Sequence, residues 1–297
     1  ERQTEEQKNG LVIVDKPKSM TSHDVVDVAR KSLGTRRIGH IGTLDPHATG
    51  VLVLCVNKAT KLVKYFTDNN KTYEAEFIVG KATDSDDLTG KVIEEADASK
   101  LTEEEVKNAL MAFKGESMQV PPKFSAIKMN GLKLYELARK DLDIDHIEPR
   151  KINVFDISDF EVLDKGEIFM FKVTLQVSKG TYIRALARDL GKKLGLCGTL
   201  GNLRRTRIEN FDIKEAHTIE QLKEGKVDIK NPFDYLDMQK LVVDERAKAY
   251  IENGRFLDLD LFKEKTETII YSNEGDVLAI YYYDEDKDVM RMSVKWC

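Results

Sequence analysis

The chain has 297 residues, of which 41% are hydrophobic and 33% charged, and its net charge at pH 7 is −5. This composition excludes long disorder, a collagen-like fold and a disulfide scaffold, and the length suits one large domain with a small one. The three cysteines are far apart and the five histidines lack ligand spacing, so we predict neither disulfides nor a metal site.

The N-terminal segment ERQTEEQKNG is charged and lacks the apolar core of a signal peptide. The longest apolar stretch, residues 51–56, is far shorter than the roughly 20 residues that a membrane-spanning helix needs. We therefore expect a cytoplasmic protein that does not enter membranes, with residues 1–9 as a tail outside the fold.

Apolar and alternating segments predict the strands of a mainly antiparallel sheet. Residues 11–14 and 51–56 are continuous apolar runs, which are typical of buried strands. Residues 73–79 and 169–177 alternate apolar and polar side chains, as half-buried antiparallel strands do. Helical segments are interspersed without a regular repeat, so the pattern indicates an α+β fold with helices flanking the sheet.

Capping residues mark two helices in the first half of the chain. Thr21 or Ser22 can begin a helix that stops at Gly34. Thr102 opens a capping box before a second helix, which we expect to stop at Gly115.

A third predicted helix begins at Thr181 and lies within a basic stretch, residues 178–208. Against a single acid, this stretch holds eight basic side chains: Lys179, Arg184, Arg188, Lys192, Lys193, Arg204, Arg205 and Arg207. The pattern alone favours neither a solvated face nor a surface that holds nucleic-acid phosphates.

Residues 121–150 have two prolines at their start, several lysines and no clean period. We interpret them as an excursion that becomes ordered on binding, with an ordinary helix around residues 134–138 as the alternative. Residues 236–297 hold 9 basic and 14 acidic side chains and strand-like segments at 266–271 and 277–283. They predict a small β-rich module after a large domain of residues 10–235.

The loop of residues 39–50 is rich in glycine and precedes a predicted strand. Pro46 restrains Asp45 to an extended conformation, so the loop presents one carboxylate in a defined direction. An ordinary Asp-Pro turn is the commoner explanation of such a pattern. Arg184, near the start of a helix, should have an anion beside it because the helix dipole disfavours a cation there by roughly 0.3–1 kcal/mol. We pair it with Asp45, and an RNA phosphate is the alternative.

Four motifs resemble those of the TruB family, the bacterial tRNA pseudouridine synthases that modify uridine 55 in the T-arm loop. They are VDKPKSMTS from residue 14, HIGTLDPHATGVL from residue 40, SKGTYIR from residue 178 and CGTLGNLRRTRI from residue 197. They stand in the family's order, and the resemblance as a whole covers most of the chain. Ser19, Ser85 and Phe124 depart from an expected Gly, Thr and Tyr, and we expect them to alter loop geometry or an RNA contact and not the chemistry.

The resemblance implies three catalytic residues. Asp45 would be the nucleophile, Arg184 its ion-pair partner, and Tyr73 the aromatic side chain that stacks on the target uracil. The substrate-binding residues that it implies are Lys16, Pro17, His40, Lys179, Tyr182 and Leu203. Among these, His40 would contact the RNA beside the flipped base, Leu203 would line the uracil pocket, and Lys16 with its neighbour would support the floor of the site. Without the resemblance, ordinary core or loop roles explain Tyr73, His40 and Leu203 better.

The resemblance also implies the pseudouridine synthase fold followed by a small PUA-like RNA-binding module. The reaction is an isomerisation that needs no cofactor or metal, and it proceeds on a flipped base in a dry pocket. The partner would be the tRNA T-arm, held by the basic stretch and by the excursion at residues 121–150, and we expect a monomer without an obligatory protein partner. Two alternatives remain: a guide-RNA-dependent relative, and a tRNA-folding chaperone that acts by binding alone.

Overall fold

The computed structural model describes residues 8–67, 69–125, 128–129, 132–133 and 147–297, the two short pieces as backbone only. In chain order, the strands and helices are β1 (Gly10–Lys16), α1 (Ser22–Leu33), β2 (Ile38–Ile41), β3 (Thr49–Val56), β4 (Lys71–Val79), β5 (Lys81–Thr83), β6 (Val92–Glu95), α2 (Glu103–Met111), β7 (Gly115–Gln119), β8 (Lys128–Met129), β9 (Leu132–Lys133), β10 (Arg150–Lys165), β11 (Phe169–Val177), α3 (Ile183–Lys193), β12 (Gly198–Ile208), β13 (Phe211–Asp212), α4 (Ile219–Lys223), β14 (Gln239–Val243), α5 (Glu245–Glu252), β15 (Thr268–Ser272), β16 (Val277–Asp284) and β17 (Val289–Lys295). A 3₁₀ helix, Asn57–Phe66, follows β3.

Among the described residues, nine strands form the central sheet of the large domain. Their order is β1–β3–β12–β4–β11–β10–β7, with β2 beside β3 and β13 beside β12. The pairings are antiparallel except that of β3 with β12, which aligns Thr49 with Arg204 and Gly50 with Arg205 in parallel. The predicted mixed, mainly antiparallel α+β fold is confirmed.

The first two helices begin where the capping residues predicted. The Thr21 hydroxyl accepts from the N–H of Asp24 and the Asp24 carboxylate accepts from the N–H of Thr21, and the helix ends at Gly34, whose φ is 65°. Helix α2 begins after Thr102 but ends at Met111. The expected stop at residue 115 is wrong, because that glycine, with φ 102°, begins β7.

Helix α3 begins one residue later than predicted. Its N-cap is Tyr182, not Thr181, and the side chain of that tyrosine does not cap the helix. Arg184 is therefore its second residue. The helix packs on β4 and β12, and its Ile183 and Leu190 side chains are buried in the core that it shares with these strands.

Residues after 236 form a second sheet in the order β14–β15–β16–β17, beside which α5 packs. The predicted β-rich composition of this part is confirmed. The sheet packs on the large domain: the ring of Trp296 meets Phe233 edge to face at 4.9 Å, and Ile269 and Ile280 share one apolar cluster with Val51 of β3. The two parts therefore share a continuous core.

The N-terminal tail is shorter than expected. The Lys8 carbonyl accepts from Asn57 Nδ2 at 2.6 Å and Asn9 Oδ1 accepts from the N–H of Lys58 at 3.0 Å, so residues 8 and 9 belong to the fold. Most of the predicted excursion at residues 121–150, including the alternative helix at 134–138, lies outside the described residues. No helix in the described ranges is long and apolar enough to span a membrane.

Candidate active site

The loop between β2 and β3 carries the candidate nucleophile Asp45. Ser22, at the start of α1, fixes its backbone: the hydroxyl accepts from the N–H of Leu44 at 2.9 Å and donates to the Leu44 carbonyl at 3.2 Å. The Leu44 side chain is buried, whereas that of Asp45 is 56% exposed. The loop therefore holds one carboxylate at the surface on a constrained backbone.

Arg184 lies beside this carboxylate, with 3.7 Å between its Nε and Asp45 Oδ2. The guanidinium is 8% exposed, and its Nη1 donates to the Ser85 carbonyl at 3.2 Å. A cation at the second position of a helix is disfavoured by the helix dipole, and the two oxygen atoms offset that cost. The structure thus brings together the two residues that the sequence analysis paired.

Lys16 is buried beneath the loop. Its Nζ donates to the carbonyls of Pro17 at 2.9 Å, Met20 at 2.7 Å and Pro46 at 3.1 Å. Burial lowers the pKa of Lys16 to about 8, although the negative charge of Asp45 opposes this shift. The bond to Pro46 ties β1 to the residue that follows the carboxylate, which is the supporting position expected for Lys16, and Pro17 contributes its carbonyl.

The departures at positions 19 and 85 affect the backbone around this site. Ser19 has φ 72°, in the left-handed region that favours glycine, and its N–H donates to the Pro46 carbonyl at 2.8 Å. A serine there carries roughly 1 kcal/mol of strain or more that glycine would avoid. Ser85 meets Arg184 through its carbonyl, which any residue supplies, and its hydroxyl donates to Asp87 at 2.7 Å.

Arg205 lies beneath the same loop, at a depth that the sequence does not indicate. The sequence groups it with the basic stretch, but it is only 1% exposed. Its guanidinium donates to the carbonyls of Val51, at 3.0 Å from Nε and 2.7 Å from Nη2, and of Gly42. Tyr73 is its cross-strand neighbour on β4, and burial lowers the pKa of Arg205.

Tyr73 and Leu203 lie on neighbouring strands, β4 and β12. Tyr73 is 8% exposed and belongs to the core, against which Leu203 packs. Leu203 also lines a cavity of about 330 Å³ whose other walls are mainly charged and polar side chains, among them His47, Glu74 and Arg204. Neither Asp45 nor Tyr73 lines that cavity.

The remaining expected substrate-binding residues surround the loop at different depths. His40 is half-buried on β2, with its Nε2 3.1 Å from Thr43 Oγ1, and burial lowers its pKa. The Tyr182 ring lies 6.0 Å from the Arg184 guanidinium, and burial raises the pKa of its phenol. Lys179 is exposed in the turn between β11 and α3.

Strand β7 supports the start of α3. The side chain of Gln119 is buried, accepts from the N–H of Tyr182 at 2.9 Å and donates to the Tyr182 carbonyl at 3.1 Å. One turn after Arg184, Arg188 Nη2 donates to the Val120 carbonyl at 2.7 Å. The helix that carries Arg184 is therefore fastened to the chain just before the excursion begins.

The basic stretch divides between buried and exposed side chains. Arg184 and Arg205 are buried, and Arg204 makes a bidentate ion pair with Asp15 at 3.0 and 2.8 Å. The Asp45 carboxylate beside them is half exposed in the chain alone.

The chemistry open to this site is that of a carboxylate nucleophile. Within the described ranges, no group of three or more histidine, cysteine or acidic side chains is placed to hold a metal ion. An ionised carboxylate with one free face can form a covalent bond to a substrate, and the buried guanidinium on its other face keeps it oriented.

Known families and proteins are similar to the chain over most of its length. Residues 30–183 match the family described as TruB family pseudouridylate synthase (N terminal domain), and residues 184–243 match the tRNA pseudouridylate synthase B C-terminal domain. The chain is 38% identical over 279 residues to tRNA pseudouridine synthase B of Caldanaerobacter subterraneus, with 94% of this chain and 96% of that protein covered. It is 37% identical over 289 residues to the protein of the same name from Bacillus subtilis, with 92% and 93% covered.

Solved structures share the fold at lower identity. A Cbf5-Nop10-Gar1 complex contains a chain with a TM-score of 0.67 and 23% identity, covering 97% of this chain and 84% of that one. An H/ACA RNP bound to a substrate RNA containing 2′-deoxyuridine gives a TM-score of 0.65 at 22% identity, with 97% and 84% covered. At this identity the likeness concerns the fold alone.

Proposed function

Because the chain belongs to the TruB family of pseudouridine synthases, which are isomerases, we propose that it converts uridine 55 in the T-arm loop of tRNA to pseudouridine, with Asp45 as the nucleophile. The curated relatives at 37–38% identity are named as tRNA-modifying enzymes, which supports tRNA as the substrate rather than a guide-RNA-dependent reaction. The observation that carries the proposal is the pairing of Asp45 with the buried guanidinium of Arg184 at 3.7 Å.

In the proposed reaction, the bond from the ribose to the uracil ring nitrogen breaks and a bond to a ring carbon forms. The ring carbon loses a proton and the released nitrogen carries one, so the product is an isomer of the substrate. A covalent bond between Asp45 and the nucleotide divides the exchange into two easier steps. The Arg184 guanidinium keeps the carboxylate directed at the substrate.

The uridine must leave its stack before Asp45 can reach it. Flipping a base costs a few kcal/mol, which stacking and contacts to the uracil edge recover. We assign the stacking to Tyr73, and further contacts to His40, Tyr182 and Leu203. Lys16 and Pro17 would support the loop, and the exposed Lys179 would meet the RNA backbone.

The flipped base would also cover the exposed carboxylate of Asp45. In the chain alone its carboxylate is 56% exposed, so the nucleotide itself would displace the water around it. Electrostatic attraction between the carboxylate and its partner strengthens when water is excluded. Substrate binding would therefore complete the site.

We assign residues 236–297 to a PUA-like RNA-binding module. The unit is acidic overall, yet Phe256 is 51% exposed and has Lys287 and Arg291 at 5.8 and 5.5 Å from its ring centroid. An aromatic ring with cations around it suits stacking on an unpaired base. Phe256→Ala should then weaken tRNA binding several-fold and leave the rate at saturating tRNA unchanged, whereas unchanged affinity would contradict the assignment.

The direct test is to incubate the purified protein with unmodified tRNA and no additive, and to map pseudouridine along the product. We expect a single modified position, uridine 55, and none in a transcript with cytidine there. Pseudouridine at other positions only, or none at all, would contradict the proposal.

Asp45→Asn tests the nucleophile. The amide is nearly isosteric but cannot attack, so single-turnover pseudouridine formation should fall by about four orders of magnitude or more while tRNA binding persists. Asp164→Asn, on the exposed part of β10, is the matched control and should leave the rate unchanged. A rate for Asp45→Asn within tenfold of the wild type would overturn the assignment. Promotion of tRNA refolding by this variant would reveal a chaperone role beside catalysis.

A further inference from the structure

Arg205 is the largest fully buried side chain in the described part of the protein. It sits on β12 between two arginines that reach the surface, Arg204 and Arg207. A buried cation costs free energy unless its surroundings compensate it. Packing alone therefore does not explain why a charged side chain stands at position 205.

The contacts of Arg205 join the two ends of the loop that carries Asp45. Its guanidinium donates to the Gly42 carbonyl, where the loop leaves β2, and twice to the Val51 carbonyl, inside β3. One planar guanidinium thus spans the loop from beneath.

The backbone of the loop is shaped around this arginine. Gly50 has φ 113°, and a Cβ there would lie 2.0 Å from the Arg205 carbonyl oxygen. Gly42 has φ 72°, and a Cβ there would lie 3.0 Å from Arg205 Nη2. Both glycines allow the approach of β12 that places the guanidinium under the loop.

The charge of Arg205 also acts on the proposed chemistry. Arg205 lies directly opposite Tyr73 in the pairing of β12 with β4, and its charge interacts favourably with that of Asp45. Arg184, from α3, makes the direct ion pair with the same carboxylate. A change at Arg205 would alter both the position of the loop and the field at the carboxylate.

We propose that Arg205 is a positioning residue for catalysis, which fixes the two ends of the Asp45 loop relative to β12 and to Tyr73, its cross-strand neighbour on β4. The proposal rests on the proposed function of Asp45 and Tyr73. It assigns Arg205 no contact with the RNA, unlike the exposed cations of the same stretch. Its loss should therefore slow the reaction without weakening tRNA binding.

The test compares Arg205→Met, Arg205→Lys and the control Lys165→Met, which removes an exposed cation at the end of β10, outside the basic stretch. For each, the single-turnover rate at saturating tRNA and the dissociation constant for tRNA are measured, with circular dichroism to establish folding. Misplacing a reacting group by about 1 Å can cost about 100-fold in rate, so we expect that loss for methionine. Lysine keeps the charge but lacks the planar guanidinium that binds two carbonyls at once. The rate of Arg205→Lys should therefore be about tenfold higher than that of Arg205→Met. Both variants should bind tRNA within about twofold of the wild type.

The outcomes separate this inference from the proposed function. A wild-type protein and Lys165→Met that form no pseudouridine would overturn the proposed function. If they are active, a folded Arg205→Met variant with a rate within threefold of theirs would overturn the role of Arg205. So would a loss of rate matched by an equal loss of tRNA affinity, with lysine no better than methionine. If methionine prevents folding, Arg205→Lys decides: a rate within twofold of the wild type contradicts the inference, and a tenfold loss at unchanged affinity supports it.

Discussion

Three buried cations surround the exposed carboxylate of Asp45. Arg184 meets it from α3, Lys16 holds the residue after it, and Arg205 holds the two ends of its loop. An ion pair on the surface contributes only about 0–1 kcal/mol, but attraction to buried charges is much less screened by water and salt. The electrostatics of the site therefore depend more on the buried cations under the loop than they would on an ion pair at the surface.

Arg184→Lys should slow pseudouridine formation by about tenfold or more. Lysine cannot reach both the Asp45 carboxylate and the Ser85 carbonyl with one rigid fork, and a charge-assisted hydrogen bond contributes roughly 1.5–3 kcal/mol. Single-turnover assays with a parallel filter-binding measurement check this. Because Arg184 is buried, tRNA affinity should change little, and a purely affinity-based defect would contradict the pairing.

Lys16→Met should change how stability depends on pH. The pKa of Lys16 is about 8 in the folded protein against 10.5 in a model peptide. Between these values the folded protein has released a proton that the unfolded chain still binds, so the lysine contributes stability that rises with pH. From pH 7 to 9.5, the unfolding free energy of the wild type should rise relative to Lys16→Met by about 2 kcal/mol. Urea titrations at both pH values measure this, and a constant difference would show that the lysine pKa is ordinary.

The pairing of Asp45 with Arg184 could be predicted from the sequence, but the depth of the side chains around it could not. The motifs placed Asp45 and Arg184 correctly as a pair because the two lie in distinctive sequence patterns. Arg204, Arg205 and Arg207 look alike in the sequence, and irregular pairing of β12 with β4 around residues 200–203 and 205–207 breaks the alternation that would show which one points inward. Tertiary contacts decide which of the three arginines is buried, and the sequence pattern does not show those contacts.

Helix α3 depends on its neighbour β7 for its N-terminus. The side chain of Tyr182, the N-cap, makes no capping hydrogen bond. The Gln119 amide holds the Tyr182 backbone instead, since it accepts from the N–H and donates to the carbonyl. The sequence predicts a cap at Thr181 because threonine is a common N-cap. A hydrogen bond from a strand 63 residues away leaves no mark in the sequence near the helix. The start of this helix sets where Arg184 lies.

Gln119→Ala should lower both stability and turnover. It leaves the N–H of Tyr182 without a partner, at a cost of roughly 1–3 kcal/mol if no water replaces the amide, whereas the Tyr182 carbonyl keeps the hydrogen bond that the Leu186 N–H donates at 3.2 Å. The freed helix end should misplace Arg184 and slow the reaction by about tenfold or more. Met118→Ala, at an exposed position of the same strand, is the control for denaturation and single-turnover measurements. Destabilisation without a slower reaction would show that Gln119 supports the helix but does not position the arginine.

At the scale of the whole molecule, the C-terminal sheet and the large domain share one core. Besides the contact of Trp296 with Phe233, Lys58 Nζ donates to the Trp296 carbonyl at 2.9 Å. Composition and alternation predicted a β-rich module after residue 236, and the sheet is there. The shared cluster could not be predicted, because the outer face of a small sheet gives no sign of which surface covers it.

The shared core predicts that the two parts unfold together. Trp296 is the only tryptophan of the chain, so its fluorescence reports on the contact between them. Far-ultraviolet circular dichroism reports mainly on the larger sheet. In urea the two signals should give coincident transitions, as expected for one cooperative unit. A fluorescence change at clearly lower urea would mean that the C-terminal sheet separates first.

The parallel pairing of β3 with β12 has a consequence for how the enzyme folds during its synthesis on the ribosome. Arg205 and the Val51 carbonyl it binds are 154 residues apart in sequence, so a long chain segment must be made before they meet. Such distant contacts form late in folding because closing the loop costs conformational entropy first. A nascent chain therefore exposes Asp45 early but lacks the guanidinium groups that hold and face it. Translation would have to pass β12 before any product could appear, which makes catalytic competence a late event in synthesis.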